Sequence, residues 1–395
     1  MKFIKPSFEI LDIPEPNDHM GVLKFLERVG RVCYKSEDKI TDESCIKFLQ
    51  NIRNRKHWAM LEHYIFTIAI TYDDYHELLD LYKVIDEDNP DLAEKLRFIH
   101  ITKWDKCPDA DDRRFLVSGS ATAFNYLWAC KMFRDGGVDV INMLCRFLYK
   151  KFPEIMCVPE GIDLDKPYLD VETMFRFLSR DEIASLPLGL QKIHDFASVK
   201  SITDRGVTHE DVRHRPASWA QESTRYCNYG KTGCTFIIPC WFTDEESKIL
   251  VDMPDDEFYR HVIQMSMPVG MSLAAWNWVS DMMYIGEEYE KFVKQGVPTD
   301  ITEETITQTI LERISSTIGY GWSPQESRSV LPNSVKTEII MTANLNEWEH
   351  YFNMRVPKTA HPQMRELTVP MLKEFADRNP YVFFDQKQRL LEENK

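Results

Sequence analysis

The stretch RHRPASWAQESTRYCNYG, residues 213–230, concentrates side chains that bind anions. Three arginines lie within thirteen residues, interspersed with two serines, a histidine and a glutamine. Arginine forks bind phosphate through paired hydrogen bonds, and serine hydroxyls satisfy the remaining oxygen lone pairs. The residue types therefore predict a site for a phosphorylated ligand.

The charges in this part of the chain are balanced. A surface that follows a nucleic-acid backbone keeps positive charge in excess, so one defined small ligand fits better. An ion-pair network on a solvated edge remains an open interpretation from residue types alone. The six charges are Glu210, Asp211, Arg213, Arg215, Glu222 and Arg225.

A second candidate is NLNEWEHYFNMR, residues 344–355. Leu345, Trp348, Phe352 and Arg355 are spaced by three, four and three residues, so they share one face of a predicted helix. Arg355 either extends to solvent and stabilises the helix C-terminus, or it points into a largely apolar pocket.

The same segment carries three further polar candidates. Asn344 precedes the helix and is predicted to cap it. Asn346 and His350 are four residues apart on another face, where they form either a structural hydrogen bond or ligand contacts.

Other catalytic chemistries have weaker support. His57, Glu62 and His63 do not have the H-E-x-x-H spacing of a zinc site, so no metal is expected. The nine cysteines include no C-x-x-C and are expected to be reduced; Cys227 alone, near the arginines, is a candidate nucleophile. The sequence contains no glycine-rich dinucleotide motif, P-loop or G-x-S-x-G.

Periodicity predicts the elements that must position these residues. Strand patterns are expected at 63–73, 197–204, 234–242 and 336–343, and helical patterns at 21–34, 42–55, 272–296, 344–355 and 362–378. A short helix with Thr208 as N-cap must end before Pro216, which disfavours helical geometry at Arg215. Residues after Pro216 are expected to be extended.

Strands and helices mix without regular alternation, so we predict an α+β fold with a mixed sheet flanked by helices. Residues 72–195 are mostly helical in pattern and are expected to be an insertion in a single domain spanning 1–395. The net charge of −15 argues against general nucleic-acid binding. With no long apolar run and no signal-peptide pattern, we expect a cytoplasmic protein without a membrane span.

Taken together, these stretches resemble the flavin-dependent thymidylate synthases, the ThyX family. Its hallmark is R-H-R followed after seven residues by serine, which residues 213–223 match. LEHYIFTIAI after His57, ESRSVLP, and TANLNEWEHYFNMR with AHPQMREL resemble further family elements. The resemblance covers the N-terminal region and most of residues 200–385; residues 72–195 and part of 298–320 are additional to the short members.

The resemblance implies an α+β fold assembled as a homotetramer, with FAD at subunit interfaces and active sites shared between chains. It implies transfer of the methylene group of methylenetetrahydrofolate to C5 of dUMP, with NADPH reducing the flavin and no cysteine nucleophile. Arg355 falls on the arginine that stabilises uracil ionised at N3, which is the catalytic role. Glu210 stands where glutamine is common in the family.

The remaining roles are carried over position by position. The dUMP-contacting positions are Glu210, Arg213, Gln221, Glu222, Ser223, Thr224, Arg225, Arg328 and Arg355. The FAD-contacting positions are His57, Arg213, His214, Arg215, Gln221, Asn344, Asn346 and His350.

Two alternatives stay open. The chain is either a non-catalytic flavin- or nucleotide-binding member, with the insertion as a partner surface, or an enzyme that modifies C5 of another pyrimidine nucleotide.

Overall fold

The computed structural model describes residues 1–71, 99–104, 114–130, 139–164, 174–254, 264–294 and 321–393, together with 257, 261, 302–304 and 306–308. Within these ranges the chain is α+β, as predicted. The strands are β1 Lys2–Ile4, β2 Ser7–Ile10, β3 Ile65–Thr71, β4 His100–Trp104, β5 Arg114–Ser120, β6 Phe175–Phe177, β7 Phe196–Asp204, β8 Ser218–Gln221, β9 Thr235–Ile237 and β10 Lys336–Asn344.

The helices cover most of the remaining described chain. They are α1 His19–Tyr34, α2 Ser44–Asn54, α3 Ala121–Ala129, α4 Asp139–Lys151, α5 Arg180–Ala184, α6 Leu188–His194, α7 Arg205–Asp211, α8 Tyr229–Thr232, α9 Asp244–Asp252, α10 Leu273–Val293, α11 Pro324–Ser327, α12 Leu345–Arg355, α13 Pro362–Arg378 and α14 Phe384–Glu393.

The central sheet has the strand order β2-β7-β10-β8, and all of its neighbours are antiparallel. A second antiparallel sheet has the order β4-β5-β3-β6, and β1 pairs with β9 in parallel. Within each sheet of the described chain, neighbouring strands are therefore either all antiparallel or all parallel. The mixed sheet that we predicted is not present there. The parallel pairing is confined to the separate β1–β9 ribbon.

The two faces of the central sheet pack on different cores. On one face, Ala220 and Ile340 pack into a cluster built mainly by α1, α2, α3, α4 and the second sheet. On the other face, Met341 and Ala343 pack against Trp348 and Phe352 of α12. The apolar stripe of α12 is thus buried, as its spacing predicted, and it fixes α12 on the sheet.

The prediction that residues 72–195 are mostly helical omitted three strands. In the described part of that segment, α3, α4, α5 and α6 accompany β4, β5 and β6, which form the second sheet with β3. Leu116 and Phe177, from two of these strands, are buried. Helix-like spacing in neighbouring residues hid these short apolar runs, because periodicity alone does not separate a short buried strand from a helix. Because the segment shares a core with α1 and α2, we propose one domain.

Candidate functional site

The connection from β7 to β8 carries the R-H-R motif. Asp204 caps α7 by accepting a 2.8 Å hydrogen bond from the backbone N–H of Val207. Our assignment of the N-cap to Thr208 was wrong: Thr208 lies inside α7, where its hydroxyl donates to the Arg205 carbonyl. The helix ends at Asp211, before Pro216 as expected, and the chain is extended again from Ser218.

The loop after β8 is fastened to the end of α1. The backbone N–H of Ser223 donates to the Cys33 carbonyl at 3.1 Å, and the N–H of Cys227 donates to the Ser223 carbonyl at 3.0 Å. The Ser223 hydroxyl accepts from the N–H of Arg225 at 3.3 Å. This turn therefore presents Ser223, Thr224 and Arg225 from a fixed backbone.

The turn borders a cleft of about 650 Å³, which we call cleft 1. Its walls come from the end of α1, the 3₁₀ turn Trp58–Glu62, helix α3, strand β8 and the loop after it. It is lined by Cys33, Tyr34, Lys56, His57, Trp58, Ala59, Met60, Glu62, Tyr126, Arg205, Trp219, Gln221, Glu222, Ser223, Thr224, Arg225, Tyr226 and Arg328.

Cleft 1 brings together most of the predicted dUMP contacts, namely residues 221–225 and Arg328. Arg225 and Arg328 are exposed and form no ion pair within the described ranges. Arg225 lies over the Tyr226 ring at 5.3 Å. His57 is also exposed in this cleft, and its Nδ1 lies 2.9 Å from the Tyr34 hydroxyl.

Two predicted ligand contacts in cleft 1 have their side chains engaged elsewhere. The buried Glu222 carboxylate accepts from the Tyr229 hydroxyl at 2.9 Å and forms a 2.8 Å ion pair with Lys336. The Gln221 amide donates to the hydroxyls of Thr208 and Thr337 at 2.8 and 3.3 Å. Both side chains hold the edge strand in place in this structure.

A second cleft, of about 590 Å³, lies between the R-H-R motif and α12, and we call it cleft 2. It is lined by Arg213, His214, Arg215, Pro216, Asn346, Glu347, His350, Met354 and Arg355. Asn346 and His350 are both exposed here. Arg213 and Arg215 are likewise exposed and, like Arg225, form no ion pair among the described residues, so these arginines do not build the network that we left open.

Arg355 is the best-anchored cation of cleft 2. Its side chain is only 16% exposed, so it does not extend to solvent. One terminal nitrogen donates to a Glu210 carboxylate oxygen at 2.7 Å, and the other donates to the Glu210 carbonyl at 2.6 Å. Its Nε donates to Nε2 of His214 at 3.0 Å. Because a guanidinium has five N–H groups, one remains on each terminal nitrogen.

The histidine that holds Arg355 is neutral. Burial, together with the neighbouring charge of Arg355, lowers the pKa of His214 to about 4. Its Nε2 is therefore an acceptor across the physiological range, as the hydrogen bond from Arg355 requires. His214 also packs edge-on against His350 and Tyr351, at centroid distances of 5.6 and 4.9 Å.

Behind this layer lies a buried carboxyl group. Asp211 accepts a 2.8 Å hydrogen bond from the Tyr351 hydroxyl, and burial raises the pKa of Asp211 to about 7. A raised carboxyl pKa means that the folded state holds the proton more tightly than the unfolded state does. The stability contributed by that proton is complete below 3.8, the ordinary pKa of an aspartate side chain, and is lost as pH rises towards about 7.

We therefore expect the stability of Asp211→Asn relative to the wild type to be higher at about pH 8 than at about pH 5. The reason is that asparagine accepts from Tyr351 without ionising, whereas Asp211 loses its proton over this range. The measurement is urea unfolding at both pH values and one protein concentration. Asp42→Asn, at a fully exposed carboxylate, is the control and should follow the wild type. Parallel pH profiles for Asp211→Asn and the wild type would contradict the assignment.

Asn344 caps α12 as predicted, accepting from the N–H of Glu347 at 2.9 Å. Its amide nitrogen lies 3.3 Å from Nε2 of His100, a residue of β4. Asn344 lines a small cavity that shares Pro216 and Glu347 with cleft 2. Strand β4, within the segment predicted to be an insertion, thus reaches the neighbourhood of a predicted FAD contact.

The two clefts have no lining residue in common. Trp219 lies between them: it lines cleft 1, and its indole N–H donates to the His214 carbonyl at 3.1 Å. The structure therefore divides the predicted dUMP contacts. Glu210, Arg213 and Arg355 belong to the side of cleft 2, whereas residues 221–225 and Arg328 belong to cleft 1.

Sequence patterns gave no site role to several residues of cleft 1, among them Arg205 and Tyr126. Arg205 enters from the start of α7, and its only sequence signal is a charged residue at the end of a predicted strand. Tyr126 comes from α3, and its ring lies 6.2 Å from that of Trp58. Nothing local in the sequence places α3 beside residues 57–60, because that contact depends on the second sheet.

The remaining catalytic candidates have structural surroundings that do not favour them. Cys227 is buried, and burial raises its pKa to about 11, which keeps it a thiol. His63 is buried with Nδ1 2.7 Å from the Thr342 hydroxyl. Among the described residues, no group of three side chains is arranged to hold a metal ion, and no helix is long and apolar enough to cross a membrane.

Fold and site together define an α+β protein with paired clefts rich in arginine and suited to nucleotide-like anions. The family model described as "Thymidylate synthase complementing protein" matches residues 194–381, which hold both the R-H-R motif and α12. This match covers just under half of the chain, and relatives to which the chain is similar are named flavin-dependent thymidylate synthase.

Relatives with that name are only moderately similar. The flavin-dependent thymidylate synthase of Geobacter sulfurreducens is 27% identical over 57% of this chain and 75% of its own length. That of Mycobacterium tuberculosis strain H37Rv is 29% identical over 46% of this chain and 57% of its own length. That of Pyrococcus furiosus is 29% identical over 44% of this chain and 52% of its own length, so this chain spans about half of that relative.

Proposed function

We propose that this chain is an active flavin-dependent thymidylate synthase, which methylates dUMP at C5 with methylenetetrahydrofolate as carbon donor and NADPH as reductant. The observation that carries the proposal is the anchoring of Arg355. Glu210 and His214 hold its guanidinium in place and leave one N–H on each terminal nitrogen for a ligand. The similarity to proteins named flavin-dependent thymidylate synthase suggests the reaction to which this geometry is fitted.

Cleft 1 is proposed to bind the phosphate of dUMP. Ser223, Thr224, Arg225 and Arg328 supply hydroxyl and guanidinium donors around one opening. Charge-assisted hydrogen bonds of this kind are about twice as strong as neutral ones, and they suit a dianion. Glu222 contributes through the backbone it stabilises, since its carboxylate is engaged with Tyr229 and Lys336.

The residues of cleft 2 fit FAD. Arg213 and Arg215 are exposed cations without a carboxylate partner in the described ranges, which suits a diphosphate. His350 and Asn346 add a ring face and an amide in the same cleft. Bound FAD would supply the hydride that completes the methyl group. We propose His214 and Asn344 as neighbouring parts of the same cofactor site, and His57 and Gln221 as residues that reach it from cleft 1 of a second copy.

The chain's own catalytic contribution is electrostatic. Uracil ionised at N3 is electron-rich at C5, so it can attack the carbon donor without an enzyme thiol. The two remaining N–H groups of Arg355 would stabilise that negative charge, and because the guanidinium is already oriented, little reorganisation is needed. The protonated Cys227 fits a scheme without a cysteine nucleophile.

We further propose that sites are completed between subunits of a homotetramer. Strand β8 and Trp219 lie between the two clefts of one chain, whereas one dUMP is proposed to contact residues of both. A cleft 1 that faces cleft 2 of a second copy would reunite the set. Strand β8 is the edge of the central sheet within the described chain.

The first test follows the flavin directly. Protein loaded with FAD is mixed anaerobically with NADPH, with and without dUMP, and the flavin absorbance band is recorded. We expect bleaching that dUMP accelerates, followed by formation of dTMP once methylenetetrahydrofolate is added.

Bound FAD that is never bleached would reject the enzyme and leave the non-catalytic binding protein. Bleaching that dCMP promotes better than dUMP would point instead to the related pyrimidine enzyme. Omitting NADPH is the control for photoreduction.

A further inference from the structure

The wall of cleft 1 contains an arginine that no predicted role accounts for. Arg205 is the first residue of α7, and its side chain lines cleft 1 with Arg225 and Arg328. Its terminal nitrogen Nη1 is buried and has no hydrogen-bond partner among the described residues. Arg225 and Arg328 differ from it in being exposed.

An unpaired buried guanidinium nitrogen is costly, because burial removes its water and nothing replaces the lost hydrogen bonds. The carboxylates that line cleft 1 are engaged elsewhere. Glu222 pairs with Lys336 at 2.8 Å and accepts from Tyr229, and Glu62 accepts from the Ser218 hydroxyl at 3.3 Å. No ion pair joins Arg205 to any described carboxylate. Because the side chain lines cleft 1, a rotation of the guanidinium towards the cleft would let Nη1 donate to an anion bound there.

We propose that Arg205 is the phosphate anchor in the wall of cleft 1 and determines the specificity of that cleft for the nucleotide over the nucleoside. The inference rests on the proposed function, since it takes dUMP as the ligand. Arg225 and Arg328 are solvated and contribute attraction at the cleft mouth, whereas Arg205 donates from the wall. Screening by solvent weakens exposed pairs much more than buried ones, so Arg205 should carry most of the discrimination.

The backbone position of Arg205 is independent of its side chain. Its N–H donates to the Asn333 carbonyl at 2.8 Å, and Asp204 caps the helix through Val207. Substitution of the side chain therefore leaves the start of α7 intact. Glutamine keeps much of the length and the polar tip but removes the charge and the fork, whereas lysine keeps only the charge.

The test measures dissociation constants of dUMP and deoxyuridine for the full-length FAD-loaded protein and its Arg205→Gln and Arg205→Lys variants. For Arg205→Gln we expect dUMP to bind more weakly by on the order of 10- to 100-fold. Binding of deoxyuridine should be unchanged, and Arg205→Lys should lie between wild type and Arg205→Gln. Arg28→Gln, at an exposed arginine paired with Glu9, is the matched control.

Thermal unfolding separates a ligand role from a structural one. Without ligand, Arg205→Gln should unfold at or above the wild-type temperature, because an unsatisfied buried charge has been removed. Inorganic phosphate should raise the unfolding temperature of the wild type more than that of the variant. The inference is overturned if Arg205→Gln weakens the binding of dUMP and deoxyuridine equally. It is also overturned if the variant unfolds at a lower temperature than the wild type and phosphate raises both unfolding temperatures by the same amount.

The outcomes for the inference and for the proposed function are distinct. If the wild type and Arg205→Gln bind dUMP equally well, the proposed function stands and Arg205 is rejected as the phosphate anchor. Wild-type protein that fails to bind dUMP overturns the proposed function and the nucleotide assignment with it, whatever the variant shows.

Discussion

Arg355→Ala is expected to lower turnover by on the order of 10²–10³-fold or more, because it removes the preorganised donors proposed for the ionised uracil. The side chain is fixed by Glu210 and His214, so its two remaining N–H groups are aimed before any ligand arrives. Steady-state formation of dTMP at saturating dUMP measures the loss. Arg355→Lys should also be severely impaired, since lysine keeps the charge but not the fork.

The loss should be one of chemistry and not of folding. Glu210 is 43% exposed on its side chain, so solvent takes the place of its lost partner, and stability should fall by only about 1–2 kcal/mol. FAD should remain bound through Arg213 and Arg215. Arg378→Ala, at an exposed arginine that pairs with Glu374 at 2.7 Å, is the control and should keep wild-type turnover. Near-normal dTMP formation by Arg355→Ala would falsify the catalytic assignment.

Sequence patterns predicted the elements around the site because those elements are long or strongly punctuated. The stripe of α12 has a full helical period, and Asn344 precedes it, so both its face and its start followed from spacing. Pro216 placed the end of α7 and the start of an extended segment. The start of α7 was misplaced because Asp204 and Thr208 both have capping side chains, and only the end of β7 decides between them.

The division of the site into two clefts is not visible in the sequence. Arg213 and Arg225 are twelve positions apart, yet strand β8 and Trp219 separate their clefts. Spacing along the chain reports local neighbours, whereas the face of the sheet on which a loop emerges depends on pairing with β10, a distant strand. Arg205 was missed for the same reason, since its approach to residues 223–225 is a tertiary contact.

Mixing two inactive variants is expected to restore activity, because each proposed site takes cleft 1 from one chain and cleft 2 from another. Ser223→Asp is designed to disable cleft 1: aspartate can still accept from the N–H of Arg225, but it places negative charge where phosphate is proposed to bind. Arg355→Ala disables cleft 2. In hetero-oligomers assembled at random from equal amounts, about one quarter of two-chain sites combine two intact halves.

Co-expression with two affinity tags and sequential purification isolates oligomers that contain both variants. Their dTMP formation should rise from near zero to roughly a quarter of the wild-type rate, since intact pairings form by chance alone. A matched pair with both lesions in cleft 1, Ser223→Asp with Arg225→Asp, should stay inactive, because no cleft 1 in that oligomer is intact. If oligomers that combine Ser223→Asp chains with Arg355→Ala chains are inactive, one chain supplies both halves of the site. The two clefts of that chain must then come together across Trp219 when ligands bind. If dTMP formation recovers in these oligomers but not in the matched pair, catalysis requires association between copies. Activity should then fall when the protein is diluted below the dissociation constant of the oligomer.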